Sequence, residues 1–115
     1  MIKNLTKETV VAEKLCLAKS MGSRMRGMLK RKFDQFDAIM FEDNNSIHMF
    51  FMSYPLDVIF IDGDNTVVSV RKGVKPWRMA MDMKAITTIE VPAGVIEHSK
   101  TEAGDKLEYQ ADLTY

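Results

Sequence analysis

The sequence has one cysteine, Cys16, in 115 residues, so no intrachain disulfide can form and nothing requires an oxidising compartment. Cys16 lies between Leu15 and Leu17, the setting of a small buried thiol, with no local base to make it a nucleophile. Net charge is zero, which argues against general nucleic-acid binding by counterion release. Long apolar runs are also missing. The longest, Leu56 to Ile61, is broken by Asp57 and falls far short of the roughly 20 residues that span a bilayer. "MIKNLTKETVV" is charged from Lys3 and lacks an apolar h-region, so no secretory signal is expected and the chain reads as cytoplasmic. There is no internal repeat, no phosphate-binding glycine loop and no nucleophile elbow.

What remains is an ordinary globular composition, 46% apolar, at a length that suits one domain over residues 1–115. "TVVAEKLCLAKS" reads as a strand ending near Lys19. Ser20 is then positioned to cap a short helix, because Met21, Met25, Met28 and Leu29 share one helical face. "DAIMFE", "SIHMFFM", "LDVIFID", "TVVSVRK" and "ITTIEVP" read as strands. "EDNNS" and "DGDN" are turns, with Gly63 and Asn65 suited to positive φ. "GVKPWRMAMDMKA" reads as a loop about Pro76, "AGVIEHSK" as a short helix, and "TEAGDKLEYQ" as a turn into a last strand. About six or seven short strands at hairpin spacing favour an antiparallel β-sandwich or barrel over a βαβ fold. Charge is unevenly spread. Basic residues run from Lys14 to Lys32 without an acid, while Glu90, Glu97, Glu102, Asp105, Glu108 and Asp112 gather late. A solvated helix and its flanks account for the basic segment, and a partner-binding helix is the competing account.

The most informative residue is Asp57. It interrupts a strand whose two faces are otherwise apolar, and an ionised carboxylate there costs several kcal/mol unless partnered. Backbone N–H groups near the Pro55 corner, or a base such as Arg78, would serve as partners; a ligand contact or a general base are the functional alternatives. His48 poses the same choice between donating to a backbone carbonyl and catalysis.

Other motifs weigh less. "DGDN" has the first spacing of a calcium loop, but Thr66, Val67 and Gly73 occupy positions where that loop's pattern has an aspartate or asparagine, a glycine and a glutamate. Asp57 and Asp62 would lie about 17 Å apart along a strand, too far for a glycosidase pair. His48, Asp57 and a serine such as Ser46 or Ser53 lack an oxyanion-hole signature. Met79, Met81 and Met83 alternate, and thioethers suit Cu(I). However, the chain has ten methionines in all, methionine is a flexible core filler, and no cysteine–histidine cluster accompanies these three. "KPWR" sets the single tryptophan, Trp77, in a loop between cations: either a stacking platform for an anionic or sugar-like ligand, or a plug for one end of the sandwich.

Two stretches, "IHMFFMSYPLDVIFIDGDNTVVSVRKGVKPWR" and "IEVPAGVIEHSKTEAGDKLE", together resemble the domain-of-unknown-function-192 family. The likeness rests on His48, Phe51, Met52, Pro55, Leu56, Asp57 and Asp62, then on Pro92, Ala93 and Gly94, and lastly on Gly104 and Asp105. Arg24, Gly27 and Met28 match an upstream element. It covers the chain from about Leu15 to Leu107, with departures at Met49 and Val91. The resemblance implies a compact, mostly β single domain and no particular chemistry. Many members of the family carry an N-terminal export or anchor segment; none is seen here, so their location does not transfer. The shared block brings His48, Met52, Pro55 and Asp57 to one hairpin-like corner.

The expectation is therefore a mainly β chain, a single antiparallel β-sandwich or barrel-like domain with short helices near Ser20–Lys30 and Ala93–Ser99. Its leading function is a non-enzymatic ligand-binding or accessory module for a small molecule or protein partner. The candidate site comprises His48, Met52, Asp57, Lys75, Trp77 and Arg78, where Trp77 stacks, Lys75 and Arg78 attract an anionic group, and His48 with Asp57 anchors polar atoms. The alternative is a small enzyme using His48 and Asp57 as an acid–base pair. No metal ligands and no cofactor are assigned.

Overall fold

Alternating and β-branched apolar segments pair into sheets here because one face of each segment must leave water. The computed structural model describes residues 1–18, 36–48 and 54–114. The strands are β1 (Ile2–Asn4), β2 (Thr9–Ala12), β3 (Leu15–Ala18), β4 (Ala38–Glu42), β5 (Ser46–His48) and β6 (Leu56–Ile61). They continue with β7 (Val67–Val74), β8 (Met79–Met81), β9 (Thr87–Pro92), β10 (Leu107–Tyr109) and β11 (Leu113–Thr114). One helix, α1 (Val95–Ser99), follows β9.

The mainly β expectation is met. A six-stranded sheet runs in the order β11-β3-β4-β9-β6-β7, a three-stranded sheet in the order β10-β1-β2, and β5 pairs with β8 as a ribbon. The large sheet has two ends and does not close into a barrel. It is also mixed rather than wholly antiparallel, since β3 runs parallel to both β4 and β11. Parallel neighbours need a long crossover, and the chain between Ala18 and Ala38 supplies one. The expected helix at Ser20–Lys30 lies in that stretch, outside the described residues.

Each face of the large sheet has its own core. On one face, Leu15, Met40, Ile59, Ile61, Ile89 and Val91 meet Ile2, Val11 and Leu107 of the small sheet and Ile96 of α1. On the other, Leu56, Val58 and Phe60 pack beneath Ile47 and Ala80 of the ribbon, and Cys16, Ile39 and Phe41 form a separate cluster with Phe36. Strand β6, buried at all six positions, is covered on both sides, as its near-continuous apolar run requires.

Several boundaries differ from the sequence reading for identifiable reasons. "TVVAEKLCLA" is two strands in two sheets, not one. The Asp37 carboxylate accepts from the amides of Glu13 (2.9 Å) and Lys14 (3.0 Å), which fixes the bend between β2 and β3. At the β6–β7 hairpin, Asn65 takes positive φ (62°) as expected, and Gly63 does not. Asp62 Oδ1 accepts from the amides of Asp64 and Thr66, doing locally what a second left-handed residue would otherwise do. Within "GVKPWRMAMDMKA", read as a loop, β7 continues to Val74 and Met79–Met81 forms β8.

Candidate functional site

Because β6 pairs continuously with β9, matching Asp57 to Val91 and Val58 to Glu90, side-chain direction along β6 is fixed. Asp57 points with Ile59 and Ile61 toward α1, and Leu56, Val58 and Phe60 point toward the ribbon. The Asp57 carboxylate is 2% exposed and fully engaged at that position. Its Oδ1 accepts from the amide of Gly73 at 2.8 Å; its Oδ2 accepts from the amides of Gly94 and Ile96, both at 3.0 Å. The Gly73 amide is available because a register shift between Leu56 and Val58 breaks the β6–β7 ladder. Gly73 (φ 60°) and Gly94 (φ 101°) both adopt left-handed backbone, which a side chain would oppose. Asp57 thus supplies from a neighbouring strand the cap that Gly94, lacking a side chain, cannot give α1.

The other candidate residues lie elsewhere. His48 ends β5, in register with Met79 of β8; Met52 is outside the described residues. Lys75 to Arg78 form a turn joining β7 to β8, closed by the Arg78 amide donating to the Lys75 carbonyl at 3.2 Å. Pro76 holds the first central position. Trp77 holds the second at φ 67°, where such a turn usually places glycine. A bulky residue there is strained, and it is 62% exposed. Lys75 and Arg78 are exposed beside it.

The turn and ribbon are anchored to β7 by polar contacts. Arg71 lies over the Phe60 ring, 5.4 Å from its centroid, and donates to the Met81 carbonyl at 3.3 Å. Ser69 Oγ donates to Asp82 Oδ2 at 2.6 Å; that bond, with the Lys84 amide, holds the Asp82 carboxyl below the usual carboxylate range. The structure therefore brings Lys75, Trp77 and Arg78 together on the ribbon side. It does not bring Asp57 to them: the carboxylate faces α1 through the opposite side of the sheet.

Two further buried acids went unnoticed as core residues in the sequence. Asp105, 3% exposed, accepts from Asn4 Nδ2 at 2.9 Å, from Lys7 Nζ at 2.8 Å and from the Glu102 amide at 3.0 Å. Burial works to raise its pKa, and the hydrogen bonds from Asn4 and Lys7 prevail, leaving it below the ordinary range. Glu90 is different. It is 1% exposed, paired in register with Ile39 on one side and Val58 on the other, and its Oε2 has no hydrogen-bond partner among the described residues. Burial alone pushes its pKa up to about 8. The available signal was a lone acid inside "ITTIEVP", the same kind of interruption that marked Asp57. Among the described residues, no group of three or more His, Cys, Asp or Glu side chains is placed to hold a metal ion. No helix among them is long and apolar enough to cross a membrane.

These features define a small mainly β domain in which three of the buried polar positions are acids, Asp57, Glu90 and Asp105. The chain belongs to the DUF192 family, described as an uncharacterised ACR group, which it matches over residues 2–109. It is similar to a UPF0127 protein of Thermococcus sibiricus, 31% identical over 97% of this chain and 76% of that protein. A Thermococcus kodakarensis UPF0127 protein is 36% identical over 95% and 73%. A Pyrococcus abyssi relative is 45% identical, but over only 57% of this chain and 56% of its own length. Among solved structures, a Novosphingobium aromaticivorans protein of unknown function aligns with TM-score 0.65 at 22% identity, over 81% of this chain and 72% of that one. A Sinorhizobium meliloti protein described as a candidate transcription regulator aligns with TM-score 0.69 at 22% identity, over 82% and 79%. At that identity the two structures share the fold and nothing more specific.

Two predictions follow from the buried acids. Asp57→Ala strands three amide donors and should destabilise the protein by about 3–5 kcal/mol in urea unfolding, with Asp57→Asn recovering part of the loss. An unchanged midpoint would mean the cradle is not needed. For Glu90, folding raises the pKa, so between about pH 4.5 and 8 the folded chain holds a proton that the unfolded chain releases. Stability should then fall with rising pH across this window, at up to about 1.4 kcal/mol per unit from this group. Glu90→Gln should flatten that component and be more stable than the parent at pH 8; identical pH profiles for the two proteins would contradict it.

Proposed function

We propose that this protein is a non-enzymatic binding or accessory module whose recognition element is the Lys75–Arg78 turn. The observation that carries this reading is Trp77: a large aromatic side chain held exposed at positive φ, between two exposed cations, on a ribbon bolted to the sheet by Arg71 and by Ser69 with Asp82. A strained, exposed aromatic is a costly choice for a plain connection, and strain of this kind concentrates where a side chain has to be presented. The chemistry on offer is a flat π-face flanked by donors for an anion, so the ligand class is an apolar, ring-bearing molecule or peptide side chain with an acidic group. His48 belongs to this reading through its place in the paired strand. Asp57 takes no direct part in it: its carboxylate bonds to amides of Gly73, Gly94 and Ile96.

The acid–base enzyme reading draws on a different residue from the one first expected. The lone pairs of Asp57 are committed to three amides, whereas Glu90 is shifted toward neutral pH, the range in which a proton carrier operates. Glu90 is, however, fully enclosed, which is why binding at the turn is preferred.

Because Trp77 is the single tryptophan, its fluorescence reports directly on the turn. Titration with 8-anilino-1-naphthalenesulfonate, an anionic aromatic probe, should quench Trp77 saturably. Arg78→Glu should weaken this binding by about tenfold or more while leaving the urea midpoint unchanged. Quenching that never saturates, or that is indifferent to Arg78→Glu, would refute the assignment.

A further inference from the structure

Among the described residues the fold treats Met40 and the methionines of the β8 region differently. Met40 is completely buried and fills the core as a flexible apolar side chain should. Met79, Met81 and Met83 do not: they are 55%, 48% and 75% exposed, while the intervening Ala80 is 7% exposed and packs inward. Core filling therefore does not explain these three. Met79 and Met81 share the outward face of β8, and Met83 stands at the tip of the turn just beyond, closed by the Ala85 amide donating to the Asp82 carbonyl at 3.1 Å. Asn45, beside the Ser46 that pairs with Met81, approaches Met83 Sδ through its Nδ2 at 4.0 Å, so that sulfur presents a lone pair toward the ribbon.

From this arrangement we propose that Met79, Met81 and Met83 form a three-thioether site for a soft monovalent cation, Cu(I). Residues two apart on a strand are spaced by roughly 7 Å. Three unbranched side chains, each with several rotatable bonds, converge across that spacing without backbone movement. Neutral sulfur donors select Cu(I) over hard cations, which want oxygen. The carboxylate that lies between Met81 and Met83 in the chain, Asp82, accepts from Ser69 Oγ and the Lys84 amide, and exposed Lys84 follows it, which disfavours a divalent oxygen-seeking ion. Thioethers have no proton to lose, so a site built on them alone keeps its affinity down to pH 5.5; His48, in register with Met79 on β5, is the titratable residue of the facing strand, and a site that depended on it would lose affinity there. The site uses neither Trp77 nor Arg78 and stands independently of the turn's own ligand.

The test is competition between the full-length protein and bicinchoninate for Cu(I), under reducing and anaerobic conditions, at pH 5.5 and pH 7.5. The parent protein should retain about one equivalent at micromolar metal at both pH values, as expected of proton-free sulfur donors. Replacing all three residues by leucine (Met79→Leu, Met81→Leu, Met83→Leu) keeps the apolar volume of a solvent-facing strip. It should lower retention by about a hundredfold without moving the unfolding midpoint. Cys16→Ser, which removes the only thiol, should leave retention unchanged. The proposal fails if the parent does not hold the metal against the chelator, if the leucine variant holds it equally, or if Cys16→Ser alone abolishes uptake.

Discussion

The grip of Asp57 on three backbone amides is the constraint from which the rest of this structure follows. A single carboxylate on the central strand β6 reaches two other elements at once: β7 through Gly73 and the start of α1 through Gly94 and Ile96. Both glycines take conformations that a ladder or a regular helix entry would not use, and the carboxylate satisfies the donors those conformations expose. The β6–β7 ladder is interrupted at the Gly73 amide that Asp57 holds and resumes with Leu56 paired to Val74, the last residue of β7 before the Lys75–Arg78 turn.

Comparison among the buried acids makes the same point by contrast. Asp57 and Asp105 each sit among donors supplied by segments distant in sequence, and in low dielectric such charge-assisted bonds are strong enough to tie those segments together. Glu90 lies between the Cys16 and Phe60 clusters, and among the described residues its Oε2 meets no hydrogen-bond donor, so burial favours the protonated form in place of a tie of that kind. A core threonine or leucine would be cheaper at that position.

Much of the architecture was legible because alternation and turn chemistry are local. "DAIMFE", "LDVIFID" and "ITTIEVP" became β4, β6 and β9, "DGDN" became the hairpin, and "AGVIEHSK" became α1. The neutralisation of Asp57 by backbone amides was likewise among the readings its burial permitted. What failed to show was everything that depends on register. The parallel pairing of β3 with β4 is set by a crossover, not by any pattern within either strand. That Asp57 and the tryptophan turn lie on opposite faces follows from one-residue parity along β6, which corner proximity in the sequence conceals. Strand β8 was hidden because Pro76 and the methionines suggested a linker, and β1 because Ile2–Asn4 is too short to carry a pattern.

The two solved structures share this fold at 22% identity, too low to transmit chemistry, so any activity has to be sought in side chains that the scaffold does not need. By that criterion the two cores, the Asp57 cradle and the Asp105 network are all accounted for. The ribbon is not. Its inward residues, Ile47 and Ala80, suffice to cover the sheet, and Arg71 and Asp82 suffice to hold it in place. Trp77, Met79, Met81 and Met83 leave much of their apolar surface exposed, which stability alone would favour replacing with polar residues. The backbone strain at Trp77 and the exposed thioethers fall on one short element outward from the sheet, which is why the proposed binding role is placed on the ribbon.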